Sequence, residues 1–303
     1  MSTTGAPSDP HRNVILVPGA VLPADLAYGA LLEALGNEIA ARAKDLELYA
    51  GDEPPPDYTL ELEVEGILRV AGAAGFERFH LVGYSAGGAS SVSFAARHPE
   101  RLHSLALLEP AWAGNEGLHH AEEALWREYE RITILPPDQM MPAFMRANLS
   151  PGVELPSPPA GPTPPWMAKR PAGLRALTSA FVAAELDLDV LRRFHRPVYY
   201  GLGGLSNPDH YARIAERLAG VFSDFTLEVF EERHHFDPPH RAEPERLAAS
   251  LSALWGSRRG GGNHRALGTP RTSSPNCVCS TEPGRSRPLH SSRARPRARA
   301  HSR

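Results

Sequence analysis

Apolar residues along the chain fall into short strand-like runs, separated by stretches in which Leu and Ala recur at helical spacing. Val14–Val17 (VILV) is β-branched, continuous and stopped by Pro18-Gly19, as a strand buried on both faces would be. Leu31, Leu32, Leu35 and Ile39 predict a helix over Leu22–Arg42, and Leu46 with Leu48 predicts a second strand, closed by the breaker GDEPPPD at 51–57. Leu60, Val64, Ile67, Leu68 and Ala71 predict a helix over Tyr58–Ala74. Phe79–Val82 reads as a strand, Ala86–Arg97 as a helix of small residues ended by His98-Pro99, and Leu102–Leu108 as a further strand. This alternation predicts an α/β fold, a mostly parallel sheet with helices on both faces.

The rhythm breaks over residues 115–193. Helical pieces at Ala121–Arg131 and Leu174–Val190 flank the proline-rich PSPPAGPTPPW (156–166), with no strand-like run, so an inserted helical cap is expected there. Strand signals return at Pro197–Tyr200 and at Phe225–Phe230, whose apolar–polar alternation suits a strand near the sheet edge. Helices are predicted over Asp209–Leu218 and Glu243–Trp255. The expected division is a core in two parts, 12–114 and 194–256, a cap at 115–193 and a tail at 257–303.

Composition changes the picture mainly at that tail. The chain has 303 residues, 42% of them hydrophobic, and a formal charge of −3. That balance conceals eleven arginines after Gly256 against the single acid Glu282. With few aliphatics the tail cannot offset its ordering entropy by burial and is expected to be disordered; a basic nucleic-acid arm is the alternative. Both cysteines, Cys277 and Cys279, lie in it, so the body has no thiol for a disulfide, metal or nucleophile. The N-terminus lacks an apolar signal core and no run approaches 18 apolar residues, so a soluble cytoplasmic protein, monomer or small homo-oligomer, without membrane or nucleic-acid partner, is expected.

The chemistry centres on GYSAGG at 83–88. Gly-x-Ser-x-Gly is a weak pattern alone, but here it follows a predicted strand and opens a predicted helix, the place of a nucleophile elbow. Such a turn lifts the Ser85 side chain above the sheet edge, and Gly83 and Gly87 avoid collisions with the neighbouring strand and helix. The helix N-terminus adds free N–H groups and the positive end of its dipole.

With VPGAV (17–21), LALLEPAW (105–112) and RHHFDPPHRAEPERL (233–247), the chain over residues 12–256 resembles the α/β-hydrolase superfamily. The resemblance implies a Ser–His–acid triad in the chain order Ser, acid, His, and an oxyanion hole partly built from an early turn. That turn often reads His-Gly-x; here it is Pro18-Gly19-Ala20, which leaves the N–H of Ala20 as a donor beside that of Ala86. It also implies no metal and no cofactor. The chain begins too near the first strand for the antiparallel strands that often precede it, so a trimmed edge is expected. Of the histidines after the last strand, His235 fits the family pattern best, followed by Phe236 and, later, Pro244; His234 is the alternative and His240 lies in the same segment. The usual acid location, GLGGLSNPD (201–209), offers only Asp209, late and at a helix start. Glu109, at the end of the strand after the elbow helix, is the preferred acid and Asp209 the alternative.

The expected function is a serine hydrolase cleaving a carboxylic ester or related acyl bond of a small, apolar substrate through an acyl-enzyme. Cofactor-free lyases, C–C hydrolases and perhydrolases share this fold and triad, and the unfilled usual acid position leaves a non-catalytic ligand-binding relative as a further alternative. Trp126, Met140, Met141, Phe144, Met145, Trp166 and Met167 fall in the cap as core or pocket wall.

Overall fold

The computed structural model describes residues 12–155 and 162–256. The tail, both cysteines and the first half of the proline-rich connector lie outside the described residues. The strands are β1 (Asn13–Val17), β2 (Ala40–Ala43), β3 (Phe79–Tyr84), β4 (Leu102–Leu108), β5 (Val198–Gly203) and β6 (Phe225–Phe230). They form one sheet in the order β2-β1-β3-β4-β5-β6, and every neighbouring pair is parallel.

Because strand side chains alternate, Val14 and Leu16 enter one apolar layer, and Ile15 and Val17 the other. Helices α1 (Ala24–Leu35), α9 (Pro239–Ala242) and α10 (Pro244–Gly256) pack together, and Ala27, Tyr28, Leu31, Leu247 and Leu251 join the layer of Val14. Helices α2 (Leu60–Ala73) and α3 (Ala86–Arg97) contribute Val64, Ile67, Ala89 and Val92 to the layer of Ile15. Between β4 and β5 lie α4 (His120–Thr133), α5 (Pro137–Ala147), α6 (Arg170–Ala183) and α7 (Leu188–Arg192), the inserted helical layer. It packs into the same cluster as α2 and α3 through Tyr129, Met140, Leu174 and Phe181. A helix α8 (Arg213–Ala219) connects β5 to β6. Among the described residues, no helix is long and apolar enough to cross a membrane.

Three local expectations are corrected. Helix α1 stops at Gly36, whose φ of +68° a helix cannot continue, rather than running to Arg42. The second strand is Ala40–Ala43, an edge strand of Ala and Arg without β-branched residues, so periodicity could not reveal it. Leu46 and Leu48 are buried, but in the 3₁₀ turn Glu47–Tyr49 and its cap, where Leu48 N–H donates to the buried Glu63 carboxylate at 3.0 Å. In the insertion, the single helix expected over Leu174–Val190 is two, because Asp187 caps a new start with its side chain. The unforeseen α5 begins at Pro137, a tolerated first-turn position, and contains Pro142.

Two histidines are buried as neutral rings. His240 is fully enclosed beside Tyr28 and Tyr84, and neither of its nitrogens has a hydrogen-bond partner among the described residues. His210 is 2% exposed. Burial lowers both to about 3 from an ordinary 6.5, with smaller contributions from His235 and, respectively, Arg241 and Arg217. The unfolded chain therefore binds these protons first as pH falls. Their contribution is complete above about 6.5 and is lost progressively down to about 3, at about 1.4 kcal/mol per pH unit for each ring within that window. The thermal midpoint should fall steadily from pH 6.5 to 4, and His240→Leu should flatten that slope. Parallel profiles for variant and wild type in circular dichroism melts would place the acid sensitivity elsewhere.

Candidate active site

Strand register sets the site. Tyr84 and Leu108 are partners across β3 and β4, so the next residues, Ser85 and Glu109, emerge side by side at the carboxyl edge of the sheet. Both have left-handed backbones, φ +53° and +45°, the two non-glycine positive-φ residues among those described. Such conformations cost on the order of 1–3 kcal/mol each and persist only where the surroundings over-determine them. Here Ser85 N–H donates to Leu108 O (3.0 Å), Glu109 N–H donates to Gly201 O (3.2 Å), and Ser85 O accepts from both Ala89 N–H and Ala111 N–H. The turn also needs Gly87, where a Cβ would lie 2.1 Å from Val17 O and 2.6 Å from Pro18 O.

His235 comes from the loop after β6. Its Nε2 lies 3.0 Å from Ser85 Oγ and its Nδ1 3.0 Å from Glu109 Oε2. The other Glu109 oxygen accepts from Gly203 N–H at 2.8 Å, which orients the carboxylate. All three side chains are nearly inaccessible. The Tyr84 hydroxyl donates to His235 O, and burial, with a smaller effect of Glu109, raises that tyrosine well above its ordinary value. The Arg233–Asp237 ion pair (2.7 Å) braces the same loop. A carboxylate that receives Nδ1–H leaves Nε2 as an acceptor for the serine proton, the arrangement that converts a hydroxyl into a nucleophile.

The alternatives take other places. The Nδ1 of His234 accepts from the backbone N–H groups of Phe236 and Asp237, shaping the turn, and burial lowers its affinity for a proton. Asp209 is exposed, its N–H capped by Asn207 at 3.0 Å in the first turn after β5. It is Glu109, not Asp209, that stands against the imidazole.

Ala20 and Ala86 flank the serine. Gly87 N–H donates to Pro18 O (3.0 Å), and a Cβ on Gly19 would lie 3.1 Å from Ser85 Cβ, so the 18–20 turn rests on the elbow. The carbonyls of this turn are held from outside: Tyr49 Oη donates to Ala20 O, and Arg170 Nε on α6 to Val21 O, both at 2.8 Å. The Arg170 guanidinium lies 3.9 Å over the Tyr49 ring. A narrow cavity, with room of about 30 Å³ for water-sized molecules, lies above Ser85 and Ala20. Its walls are Trp126, Phe144, Leu174, Leu177 and Phe181 of the insertion, with Tyr129, Asn148 and His210 as polar members. Of the cap residues singled out in the sequence, Trp126 and Phe144 line this cavity and Met140 is core.

The sequence pattern passed over Asn148 and Tyr211. Tyr211 Oη lies 3.1 Å from His235 Nε2 and donates to Asn148 Oδ1, which also accepts from Tyr129 Oη at 2.9 Å. Tyr211 lies two residues beyond GLGGLSNPD (201–209), and the His210-Tyr211 pair at a predicted helix start was the available signal. Nothing near Asn148 in sequence marks it.

A family profile described as "Alpha/beta hydrolase family" matches residues 14–250. A fluoroacetate dehalogenase from Burkholderia sp. is 36% identical over 81 residues, 25% of this chain and 27% of the relative, so the chain aligns with only about a quarter of that protein. Among solved structures, a hydrolase from Pseudomonas aeruginosa PA01 superposes with a TM-score of 0.61 at 20% identity, covering 84% of this chain and 92% of the other. The carboxylesterase CesB from Bacillus subtilis gives 0.59 at 18% identity, covering 81% and 84%. These likenesses concern the fold.

The elbow yields a stability test. Gly87→Ala drives a methyl into the backbone of the 17–18 segment, and overpacking of this kind costs about 1–3 kcal/mol. Urea unfolding should show that loss, and serine labelling by a fluorophosphonate should fall with it. A variant as stable and reactive as wild type would mean that the turn does not need glycine.

Proposed function

Since the chain belongs to the alpha/beta hydrolase family, we propose that it is a serine hydrolase acting on a small, uncharged carboxylic ester through Ser85, His235 and Glu109. The observation that carries this reading is the continuous chain from Ser85 Oγ through the imidazole to Glu109, with both links at 3.0 Å. Ser85 attacks the acyl carbon as its proton passes to Nε2. Glu109 holds the imidazole in the correct tautomer and balances the imidazolium that forms. The N–H groups of Ala20 and Ala86 receive the developing oxyanion, each such donor being worth about 2.7–4 kcal/mol in the transition state. The Nε2 proton then leaves with the alcohol. Water, deprotonated by the same nitrogen, releases the acid and frees Ser85.

The substrate class follows from the cavity. Its lining carries no charged side chain, since burial keeps His210 neutral, and most of its walls are apolar. The room in it, about 30 Å³, is far below the roughly 300–1,000 Å³ typical of small-molecule sites, which favours short acyl and alcohol groups. Residues 115–193 act in this reading as a cap that supplies those walls, over a core formed by 12–114 and 194–256.

Ser85→Ala should fold normally and lose p-nitrophenyl acetate hydrolysis by several orders of magnitude; near-wild-type turnover in the purified variant would end this reading. Glu109→Gln keeps the size of the side chain but cannot balance an imidazolium, and should lower turnover by on the order of 10⁴. Asp209→Asn should stay within about tenfold of wild type. The opposite ranking in steady-state kinetics would transfer the acid's role to Asp209.

A further inference from the structure

Two hydroxyls lie beside the one nitrogen that must serve as base. Neutral His235, with its Nδ1 proton directed at Glu109, has a single in-plane acceptor at Nε2, and both Ser85 Oγ (3.0 Å) and Tyr211 Oη (3.1 Å) lie within hydrogen-bond distance of it. If Tyr211 donated there, Ser85 would lose its base. A tyrosine hydroxyl has only one proton, however, and that of Tyr211 is directed at Asn148 Oδ1. We propose that Asn148 is a positioning residue that holds the Tyr211 proton away from His235, making Tyr211 an acceptor-only neighbour and reserving Nε2 for the serine. The inference rests on the triad reading above and adds to it a control that originates in the helical insertion.

Independent observations support the direction of that bond. The amide orientation of Asn148 is set by its Nδ2, which donates to Phe144 O at 2.7 Å; the flipped amide would oppose two oxygens there. Asn148 Oδ1 therefore faces the tyrosines and accepts from Tyr129 Oη as well. The Tyr211 and His235 rings are nearly parallel (14°) with centroids 4.4 Å apart. Rings so close and so parallel must overlap face to face, which places the phenol oxygen over the imidazole rather than on the line of its in-plane lone pair. Burial, then the neighbouring Tyr129 and Glu109, raises Tyr211 well above its ordinary value, so the hydroxyl keeps its proton and must place it somewhere. Once His235 has taken the serine proton, the tyrosine oxygen lies against the face of the imidazolium, where its lone pairs favour the positive charge.

The register between Asn148 and Tyr211 is built in. Asn148 O accepts from Asn207 N–H (3.0 Å), Asn207 Nδ2 donates to Ala147 O (2.7 Å), and Ser150 Oγ donates to Ser206 O (2.7 Å). The end of α5 and the turn that carries Tyr211 are thus one hydrogen-bonded unit.

The test uses the rate of Ser85 labelling by a fluorophosphonate, which needs no knowledge of the substrate, alongside the thermal midpoint as the structural readout. Asn148→Ala frees the Tyr211 proton and should slow labelling about tenfold or more. Adding Tyr211→Phe to that variant should restore most of the rate while the thermal midpoint stays lowered. A double variant as slow as Asn148→Ala, or slower, would show a packing role only and overturn the proposal. Should Asn148→Ala fail to fold, Tyr211→Phe decides alone. It should slow labelling modestly, by about two- to fivefold, through loss of the oxygen beside the imidazolium. Acceleration would mean that Tyr211 donates to His235 in the wild type and would overturn the proposal. Loss of labelling in Ser85→Ala, run in parallel, keeps the two readings apart: if that variant still labels, it is the triad that fails.

Discussion

The site depends on one constraint, the register of two adjacent parallel strands whose next residues both take a left-handed backbone. Pairing of Tyr84 with Leu108 sets Ser85 and Glu109 side by side, and their positive φ values carry both chains out of the strand direction at once. Neither conformation is favourable alone. Each is retained because cross-strand bonds to Leu108 O and Gly201 O leave the backbone no other satisfied arrangement.

Around that pair, the remaining parts are delivered by loops that lock one another. Gly204 N–H donates to Phe230 O and Leu205 N–H to Arg233 O, so the segments after β5 and β6 form one unit that presents His235. A Cβ on Gly203 would lie 2.7 Å from Arg233 O, which shows how closely the two backbones approach. The same Gly203 offers its N–H to Glu109, so the orientation of the carboxylate and the position of the histidine loop share a single anchor.

The helical insertion acts on the site as more than a cover. From α6, Arg170 reaches across to Val21 O with its planar head stacked on Tyr49, which itself holds Ala20 O. A lysine could supply the charge but neither the stack nor the directed Nε–H. From the end of α5, Asn148 meets the tyrosine beside the imidazole. The insertion therefore contacts both the 18–21 turn beside the elbow and the surroundings of the histidine.

Much of this was legible in local sequence. Continuous apolar runs identified four of the strands because strands buried on both faces need them, and apolar–polar alternation identified the edge strand Phe225–Phe230. GYSAGG carried its own steric argument, and Pro110 with the end of a hydrophobic run placed Glu109 at a strand terminus. The edge strand Ala40–Ala43 was not legible, since AARA offers neither an apolar run nor a clear alternation. The sequence favoured Glu109 over Asp209 without deciding between them: both are carboxylates near strand ends, and what distinguishes them is which strand neighbours the elbow strand and which side chain is enclosed. Asn148, Tyr211 and Arg170 act through hydrogen bonds spanning 63 and 149 residues. Sequence by itself determined the layered fold and the serine's turn, because burial periodicity and glycine sterics are local. Only the tertiary structure decided which histidine lies against that serine and which acid lies against that histidine, because strand order and loop docking set those distances.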